Sequence, residues 1–172
     1  HTMMGSLAPG DRQGSYQRPD SQFRQWIDAE PNSKFPAEPG RYRLIVGRSC
    51  PWAHRTLVVR ALKGLEEAIA VTWAIADPSV GGWRLSNTFE GSKTLPDLYR
   101  KVSPNYNGRA TVPVLWDDYQ HTIVNNESAD IIQILNSQFN PFAKNFNLDL
   151  YPVELREECD RWNKIIYKTV NN

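Results

Sequence analysis

The sequence predicts an α/β fold built from a β-α-β unit and a later β-β-α unit. The first unit is indicated by two apolar, strand-like segments, residues 41–46 and 69–75, which flank a segment with helical periodicity. The second is indicated by residues 111–117 and 121–124, two strand-like segments close enough to form a hairpin ahead of another helical stripe. A helix that connects two strands implies that those strands are parallel and that the connection is right-handed.

The first predicted helix runs from Pro51 to about Leu65, and Cys50 stands at its start. Proline suits the first helical position, where its missing N–H removes no hydrogen bond. Unpaired amide N–H groups and the positive end of the helix dipole favour a thiolate there, so Cys50 is predicted to act as a nucleophile in thiol chemistry. A buried structural cysteine is the alternative. The expected apolar stripe of this helix comprises Leu57, Val58, Ala61, Leu62 and Leu65.

The second predicted strand, residues 69–75, is almost wholly apolar, which is typical of a strand buried on both faces. A long polar and aromatic connection, residues 77–108, follows it. One short helix is expected inside this connection, over residues 94–102, with Thr94 as its cap. Connections of this length are often functional.

The β-β-α unit leads into two further helices. Residues 125–128 offer a cap and a first-turn acid for a helix that is expected to end near Phe139. After a linker rich in Pro and Asn, a last helix is expected over residues 153–170. This order of elements is the layout of a thioredoxin-like fold.

Composition narrows the classes of function. The net charge of +1 gives no field that would attract nucleic acid. No run of about 18 apolar residues exists, so a membrane span is not expected. Residues 1–6 resemble the remnant of an expression tag and lack the apolar stretch of a signal peptide, so a reducing, cytoplasmic location is expected. The two cysteines and three histidines form no zinc pattern, and no metal is expected.

The residues after Cys50 indicate monothiol chemistry. In Cys50-Pro51-Trp52-Ala53, alanine occupies the place where dithiol oxidoreductases carry a second cysteine. A mixed disulfide on Cys50 must then be resolved by an external thiol, and a small-molecule thiol is the expected partner. Cys159 lies among acidic residues and is interpreted as structural. His54, one turn beyond Cys50, is as compatible with a surface or packing position as with a catalytic one.

Two further motifs could cradle such a thiol. In Thr111-Val112-Pro113, a cis peptide before Pro113 would turn the backbone N–H and C=O of Val112 outward to pair with an extended peptide. A trans proline that opens a strand is the commoner case, and only the thioredoxin-like order of elements favours cis here. Asn126-Glu127-Ser128 places a carboxylate and a hydroxyl at a helix start, which suits an amino-acid zwitterion but also an ordinary cap. Trp83 is a candidate for lining the site, and Arg109 is a candidate anion contact.

These runs taken together resemble the glutathionyl-hydroquinone reductases, the Xi class of the glutathione transferase superfamily. The resemblance spans residues 35–140. Its most specific parts are Cys50-Pro51-Trp52-Ala53-His54-Arg55-Thr56, Val112-Pro113-Val114-Leu115-Trp116-Asp117 and Asn126-Glu127-Ser128.

The resemblance implies a glutathione site with Cys50 as its nucleophile. Val112 would pair with the cysteinyl backbone of glutathione, and Glu127 and Ser128 would hold its γ-glutamyl end. The residues to which the resemblance assigns glutathione binding are Trp83, Arg109, Val112, Pro113, Glu127 and Ser128. The implied reaction removes glutathione from a quinone-derived conjugate, a glutathionyl-hydroquinone, through a mixed disulfide on Cys50, which a second glutathione resolves. An Omega-like thiol transferase and a non-catalytic thiol-binding module are the alternatives.

The resemblance also implies how the chain is divided. We expect an irregular N-terminal arm over residues 1–40, with an apolar anchor at residues 23–27, and a thioredoxin-like glutathione-binding domain over 41–139. Residues 140–172 are expected to be a linker and the first helix of an incomplete, all-helical domain. In the family, that domain supplies much of the acceptor pocket and of the dimer contact, so a homodimer is expected for the full-length protein.

Overall fold

A computed structural model describes residues 20–171 of the chain, so the tag-like residues 1–6 lie outside the described part. Within it, strands and helices follow one another as the sequence predicts for an α/β protein of thioredoxin-like order. The strands are β1 (Tyr42–Gly47), β2 (Ile69–Asp77), β3 (Gly82–Phe89), β4 (Ser92–Thr94), β5 (Val114–Asp117) and β6 (Thr122–Asn125), and the α-helices are α1 (Pro51–Leu62), α2 (Leu95–Val102), α3 (Ser128–Ser137) and α4 (Arg156–Thr169).

The strands of the described residues form one mixed sheet in the order β4-β3-β2-β1-β5-β6. β1 and β2 are parallel, from the pair Tyr42 and Ile69 to the pair Gly47 and Ala74, with α1 as their crossover. β5 runs antiparallel to β1 on its other side. The predicted β-α-β and β-β-α units are thereby confirmed, and β1 lies at the centre of the sheet, where its carboxyl end leads directly to Cys50.

The long connection after β2 contains two strands that the sequence analysis missed. β3 runs back antiparallel along β2, and the short β4 pairs with β3 at the sheet edge. Trp83, Leu85 and Phe89 alternate with polar residues along β3, and Leu85 is buried. The predicted helix inside this connection is confirmed, since α2 begins after Thr94, whose side chain accepts a hydrogen bond from the Asp97 amide at 3.2 Å.

The predicted burial of β2 on both faces is wrong. Ala70 and Ala76 are exposed on one face, and Ile75 is 47% exposed on the other. The pairing of β2 with β1 ends at Ala74, so the last residues of β2 extend beyond the central strand. The apolar composition of a strand does not show how far it extends beyond its neighbour, and so does not show which of its residues are buried.

The predicted apolar stripe of α1 is also wrong in part. Val58 and Leu62 are 42% and 46% exposed, whereas Ala53, Thr56 and Val59 form the buried face. α1 packs against β1 and α3 through this face. The Thr56 hydroxyl is satisfied by the Ala53 carbonyl oxygen at 2.7 Å, so a polar residue fits into the apolar interface.

The segment of the N-terminal arm that the structure describes is irregular, as predicted, but it is firmly attached to β6. The Gln25 amide donates to the Val124 carbonyl oxygen at 3.0 Å, and Arg24 forms an antiparallel bridge with Asn125. Arg24 also binds both carboxylate oxygens of Asp130 at 2.6 Å. Ile27 is fully buried, so the predicted apolar anchor is confirmed at this position.

The carboxyl end of α1 is joined to the linker that precedes α4. Gly64 adopts a left-handed conformation, with φ at +65°, and ends the helix. Beside it Lys63 is fully buried, and its Nζ donates to Asn140 Oδ1 at 2.7 Å and to the Leu148 carbonyl oxygen at 2.6 Å. Burial lowers the pKa of Lys63, and the charge of Asp149 opposes this shift.

The last predicted helix is present with a shifted start. A 3₁₀ turn over Val153–Leu155 precedes α4. No residue of α4 is buried, and Trp162, Ile165 and Ile166 are each more than 40% exposed. Among the described helices, none is long and apolar enough to cross a membrane.

Candidate functional site

Cys50 lies where the sequence predicts it, at the amino end of α1. It occupies the N-cap position with an extended backbone, and Pro51 follows at the first helical position. Its amide donates to the Gly47 carbonyl oxygen at 3.1 Å, and its own carbonyl oxygen accepts from the His54 amide at 2.9 Å. The Cys50 side chain makes no capping hydrogen bond, so the sulfur is directed elsewhere.

The sulfur of Cys50 faces the second predicted motif. Its Sγ lies 3.7 Å from the Val112 carbonyl oxygen. The peptide bond between Val112 and Pro113 is cis, as the sequence analysis expected from the thioredoxin-like order. Among the described residues, no hydrogen bond is donated by the Val112 amide. A thiol and a backbone edge suited to an extended peptide are therefore adjacent.

Glu127 and Ser128 lie at the start of α3, where both are engaged. Glu127 is the N-cap, and its Oε1 accepts from the Ala129 amide at 3.1 Å. Its other carboxylate oxygen accepts from the Ser21 hydroxyl at 3.0 Å. Ser128, 3% exposed, accepts two hydrogen bonds from Arg55, at 3.0 and 2.6 Å.

Arg55 is the residue of this region to which the sequence analysis gave no role. It lies on α1, one turn after Cys50, and its guanidinium stacks over the Trp52 ring at 4.8 Å. The same guanidinium lies 3.8 Å from Glu127 Oε1. Arg55 therefore joins the helix that carries the cysteine to the start of α3. Only its place in the motif that follows Cys50 could have singled it out.

Trp83 lies on β3, at the end of the sheet that carries Cys50. Its ring covers Gly47, where a side-chain Cβ would collide with the six-membered ring of the indole. Arg109 lies in the loop before β5, and its carbonyl oxygen accepts from the Tyr106 hydroxyl at 2.7 Å. The Arg109 side chain is exposed, and so is that of His54.

A separate groove of about 500 Å³ lies between α1, α3 and α4. It contains Cys159, but it contains none of the predicted glutathione-binding residues. Both cysteines are free, and Cys159 is half-buried. No cluster of potential metal ligands occurs within residues 20–171.

Comparison with known proteins identifies the family to which the segment around Cys50 is similar. Residues 49–138 match the family model described as glutathione S-transferase, N-terminal domain. The chain is 43% identical over 166 residues to the glutathionyl-hydroquinone reductase PcpF of Sphingobium chlorophenolicum, a match that covers 92% of this chain and 51% of that protein.

Two solved structures are similar in fold as well as in sequence. The glutathione transferase Xi of Phanerochaete chrysosporium superposes with a TM-score of 0.85 at 45% identity, over 91% of this chain and 56% of that one. The glutathione-bound YqjG of Escherichia coli K-12 superposes with a TM-score of 0.78 at 44% identity, over 87% of this chain and 53% of that one.

The chain therefore belongs to the glutathione S-transferase family, through its thioredoxin-like N-terminal domain. Relatives at this level of identity carry the names glutathionyl-hydroquinone reductase, Xi-class transferase and Omega-like glutathione S-transferase, so the resemblance drawn from the sequence is confirmed. The chain spans about half the length of the curated relatives that it matches.

Proposed function

We propose that this chain binds glutathione and carries the nucleophilic half of a glutathionyl-hydroquinone reductase. The observation that supports this most directly is the 3.7 Å contact between Cys50 Sγ and the carbonyl oxygen of Val112, the residue before cis-Pro113. A peptide thiol whose backbone paired with Val112 would bring its sulfur beside Cys50.

The proposed reaction has two sulfur transfers. The Cys50 thiolate attacks the glutathione sulfur of the conjugate, and a disulfide bond forms between the two sulfurs. The bond from that sulfur to the hydroquinone ring breaks, and the ring carbon keeps the electron pair and takes a proton. A second glutathione thiolate then attacks the mixed disulfide, which releases glutathione disulfide and restores the Cys50 thiolate.

Ala53 makes the second step depend on an external thiol. It is fully buried one turn into α1, where a dithiol enzyme would hold its resolving cysteine. Cys159 lies on α4 and lines the separate groove. The mixed disulfide on Cys50 is therefore expected to persist until another thiol arrives.

We assign the remaining candidates by their position. Glu127 would accept hydrogen bonds from the ammonium of the γ-glutamyl group. Ser128 and the first amides of α3 would bind the carboxylate of the same group. Trp83 and Arg109 would line the part of the pocket nearest the sulfur and the glycyl end. We further propose that residues 140–172 begin a helical domain, that the full-length protein is a cytoplasmic homodimer, and that the quinone-derived conjugate is its second substrate.

The first prediction tests the nucleophile. The chain is incubated with glutathione disulfide, and its intact mass is measured before and after reduction. We expect one glutathione to be added to the native chain and to Cys159→Ser, because Cys50 provides the attacking thiolate in both. Cys50→Ser is expected to gain none. An adduct of equal yield on Cys50→Ser would contradict the proposal.

A thiol transferase that acts on mixed disulfides is the second candidate, because a monothiol centre without an internal partner suits that reaction equally. The two functions differ in the bond that is broken. Turnover of a glutathionyl-hydroquinone thioether supports the reductase. Turnover of a glutathione mixed disulfide, with the thioether left intact, supports the transferase.

A further inference from the structure

The hydroxyl of Tyr99, on α2, lies between the two segments that carry the proposed glutathione-binding residues. The Tyr99 side chain is fully buried. Its hydroxyl donates to the Thr111 carbonyl oxygen at 2.8 Å and accepts from Asn126 Nδ2 at 3.1 Å. Thr111 immediately precedes Val112, and Asn126 immediately precedes Glu127. One buried oxygen thus contacts both halves of the site.

The two segments need such a connection because their strands stop pairing before the site. The ladder between β5 and β6 ends at the pair Leu115 and Asn125, and its register shifts after Leu115. Val112 and Glu127 both lie beyond that last pair, on chains that are no longer held by strand hydrogen bonds to each other. The distance between Val112 and Glu127 therefore depends on the side chains that connect the two segments beyond the ladder.

Tyr99 is itself held in place by an aromatic cluster. Its ring meets Phe23 edge-on, with centroids 5.5 Å apart, and lies 5.0 Å from the Tyr106 ring. The Tyr106 hydroxyl binds the Arg109 carbonyl oxygen at 2.7 Å, so the same cluster holds the loop two residues upstream of Thr111. The bridging hydroxyl therefore belongs to a rigid support and not to a mobile side chain.

We infer that Tyr99 is a positioning residue for glutathione, an inference that rests on the proposed function. It sets the separation between the Val112 backbone, which would pair with the cysteinyl residue of glutathione, and Glu127, which would bind its γ-glutamyl end. Both ends of one ligand can be bound together only if this separation matches its length. Tyr99 acts through these two segments and does not touch the ligand.

The test compares two buried tyrosines. Tyr99→Phe removes the bridging hydroxyl and keeps the ring. Tyr42→Phe is the matched control, since the Tyr42 hydroxyl is also buried and donates to a backbone carbonyl oxygen, that of Pro36, at 2.7 Å. Tyr42 begins β1, whereas Cys50 follows the end of that strand, so the control lies at the opposite end of the sheet.

We measure the rate at which each variant forms the mixed disulfide with glutathione disulfide, as a function of concentration. The half-saturating concentration is expected to rise about three- to tenfold in Tyr99→Phe, because the cradle loses a buried hydrogen bond that sets its width. It is expected to change less than twofold in Tyr42→Phe. Alkylation of Cys50 by iodoacetamide, a probe too small to span the site, is expected to proceed equally in both.

Amide hydrogen exchange separates failure of this inference from failure of the proposed function. Tyr99→Phe is expected to speed exchange in residues 108–112 and 126–129, and Tyr42→Phe is not. Equal exchange or equal half-saturation in the two variants would overturn the role of Tyr99. If the native chain forms no adduct, the proposed function fails, and the exchange data still decide whether Tyr99 couples the two segments.

Discussion

Gly47 lies beneath the ring of Trp83 and leaves no room there for a side chain. Gly47→Ala would force the Trp83 indole to move, and the carboxyl end of β1 would lose its packing contact with that ring. We expect the free energy of unfolding to fall by about 1–3 kcal/mol, because overpacking displaces a well-packed neighbour. Urea unfolding followed by circular dichroism measures this loss.

A double variant shows whether the Trp83 ring is the cause. In Trp83→Ala the space above Gly47 is open, so adding Gly47→Ala to that background is expected to cost much less than it costs in the native chain. If Gly47→Ala costs the same in both backgrounds, the steric explanation is wrong and the backbone of β1 itself rejects the alanine.

Single residues of the candidate site differed in how far the sequence could predict them. The position of Cys50 followed from local signals, a strand, a proline and a helix in succession. The contact between Arg55 and Ser128 joins residues 73 positions apart, and no local pattern encodes it. Glu127 was found as an acid at a helix start, but its engagement as the N-cap depends on the φ and ψ angles that the chain adopts there.

The buried side chain of Lys63 holds the carboxyl end of α1 to the linker that precedes α4. It follows α1 and donates to Asn140 and to the Leu148 carbonyl oxygen, both in the linker before α4. In Lys63→Met these two acceptors lose their donor while the side chain keeps its length. We expect the free energy of unfolding to fall by about 1–3 kcal/mol, which urea unfolding would detect.

Lys144→Met is the matched control for this prediction. Lys144 lies in the same linker and binds Glu67 at 2.6 Å, but both side chains are more than 60% exposed. An exposed ion pair contributes little to stability, so this variant is expected to unfold at nearly the native urea concentration. Equal losses in the two variants would show that burial of Lys63 is not what matters.

Among the elements, β3 and β4 were not predicted, although the sequence of β3 shows part of the pattern that is typical of a strand. Trp83, Leu85 and Phe89 recur at even spacing, which is the period of a strand. Asn87, which lies two residues after Leu85 and two before Phe89, breaks this apolar series. The side chains on the other face of the strand are polar. A strand with so few apolar residues buries too few side chains to be distinguished from a loop by composition alone.

For the molecule as a whole, buried tyrosines predict a loss of stability at alkaline pH. Burial raises the pKa of Tyr42, Tyr99 and Tyr106 above its ordinary value. In the unfolded chain these phenols lose their protons near pH 10, whereas in the folded chain they keep them to higher pH. The folded state thus binds more protons above pH 10, and its stability falls as pH rises.

Urea unfolding between pH 8 and 11.5 would measure this effect. Each tyrosine contributes a slope of up to about 1.4 kcal/mol per pH unit above pH 10, so Tyr42→Phe is expected to flatten the decline by about that amount. Lys63 acts in the opposite direction, since its lowered pKa adds stability as pH rises toward the ordinary lysine value. A stability that stays level up to pH 11.5 would contradict the prediction.

Within residues 20–171, the β-α-β unit and the β-β-α unit were predicted in the correct order because both consist of strongly periodic segments, whereas β3 and β4 between them were missed. The bridges between distant segments were not predicted, since they arise only after the strands have paired. Tyr99 and Thr111 are close in sequence, but Tyr99 and Asn126 meet only in the finished fold. The sequence thus indicates which residues could form the site, and tertiary structure decides how they are held.

The attachment of the N-terminal segment to β6 has a consequence for how the molecule meets other chains. An outer strand with unpaired amides and carbonyls is a template on which another extended chain can add. Here Gln25 and Phe23 occupy such groups at Val124 and Asn126. The β6 edge of the sheet is therefore covered by the protein's own backbone, so another extended chain cannot add to β6 at these positions.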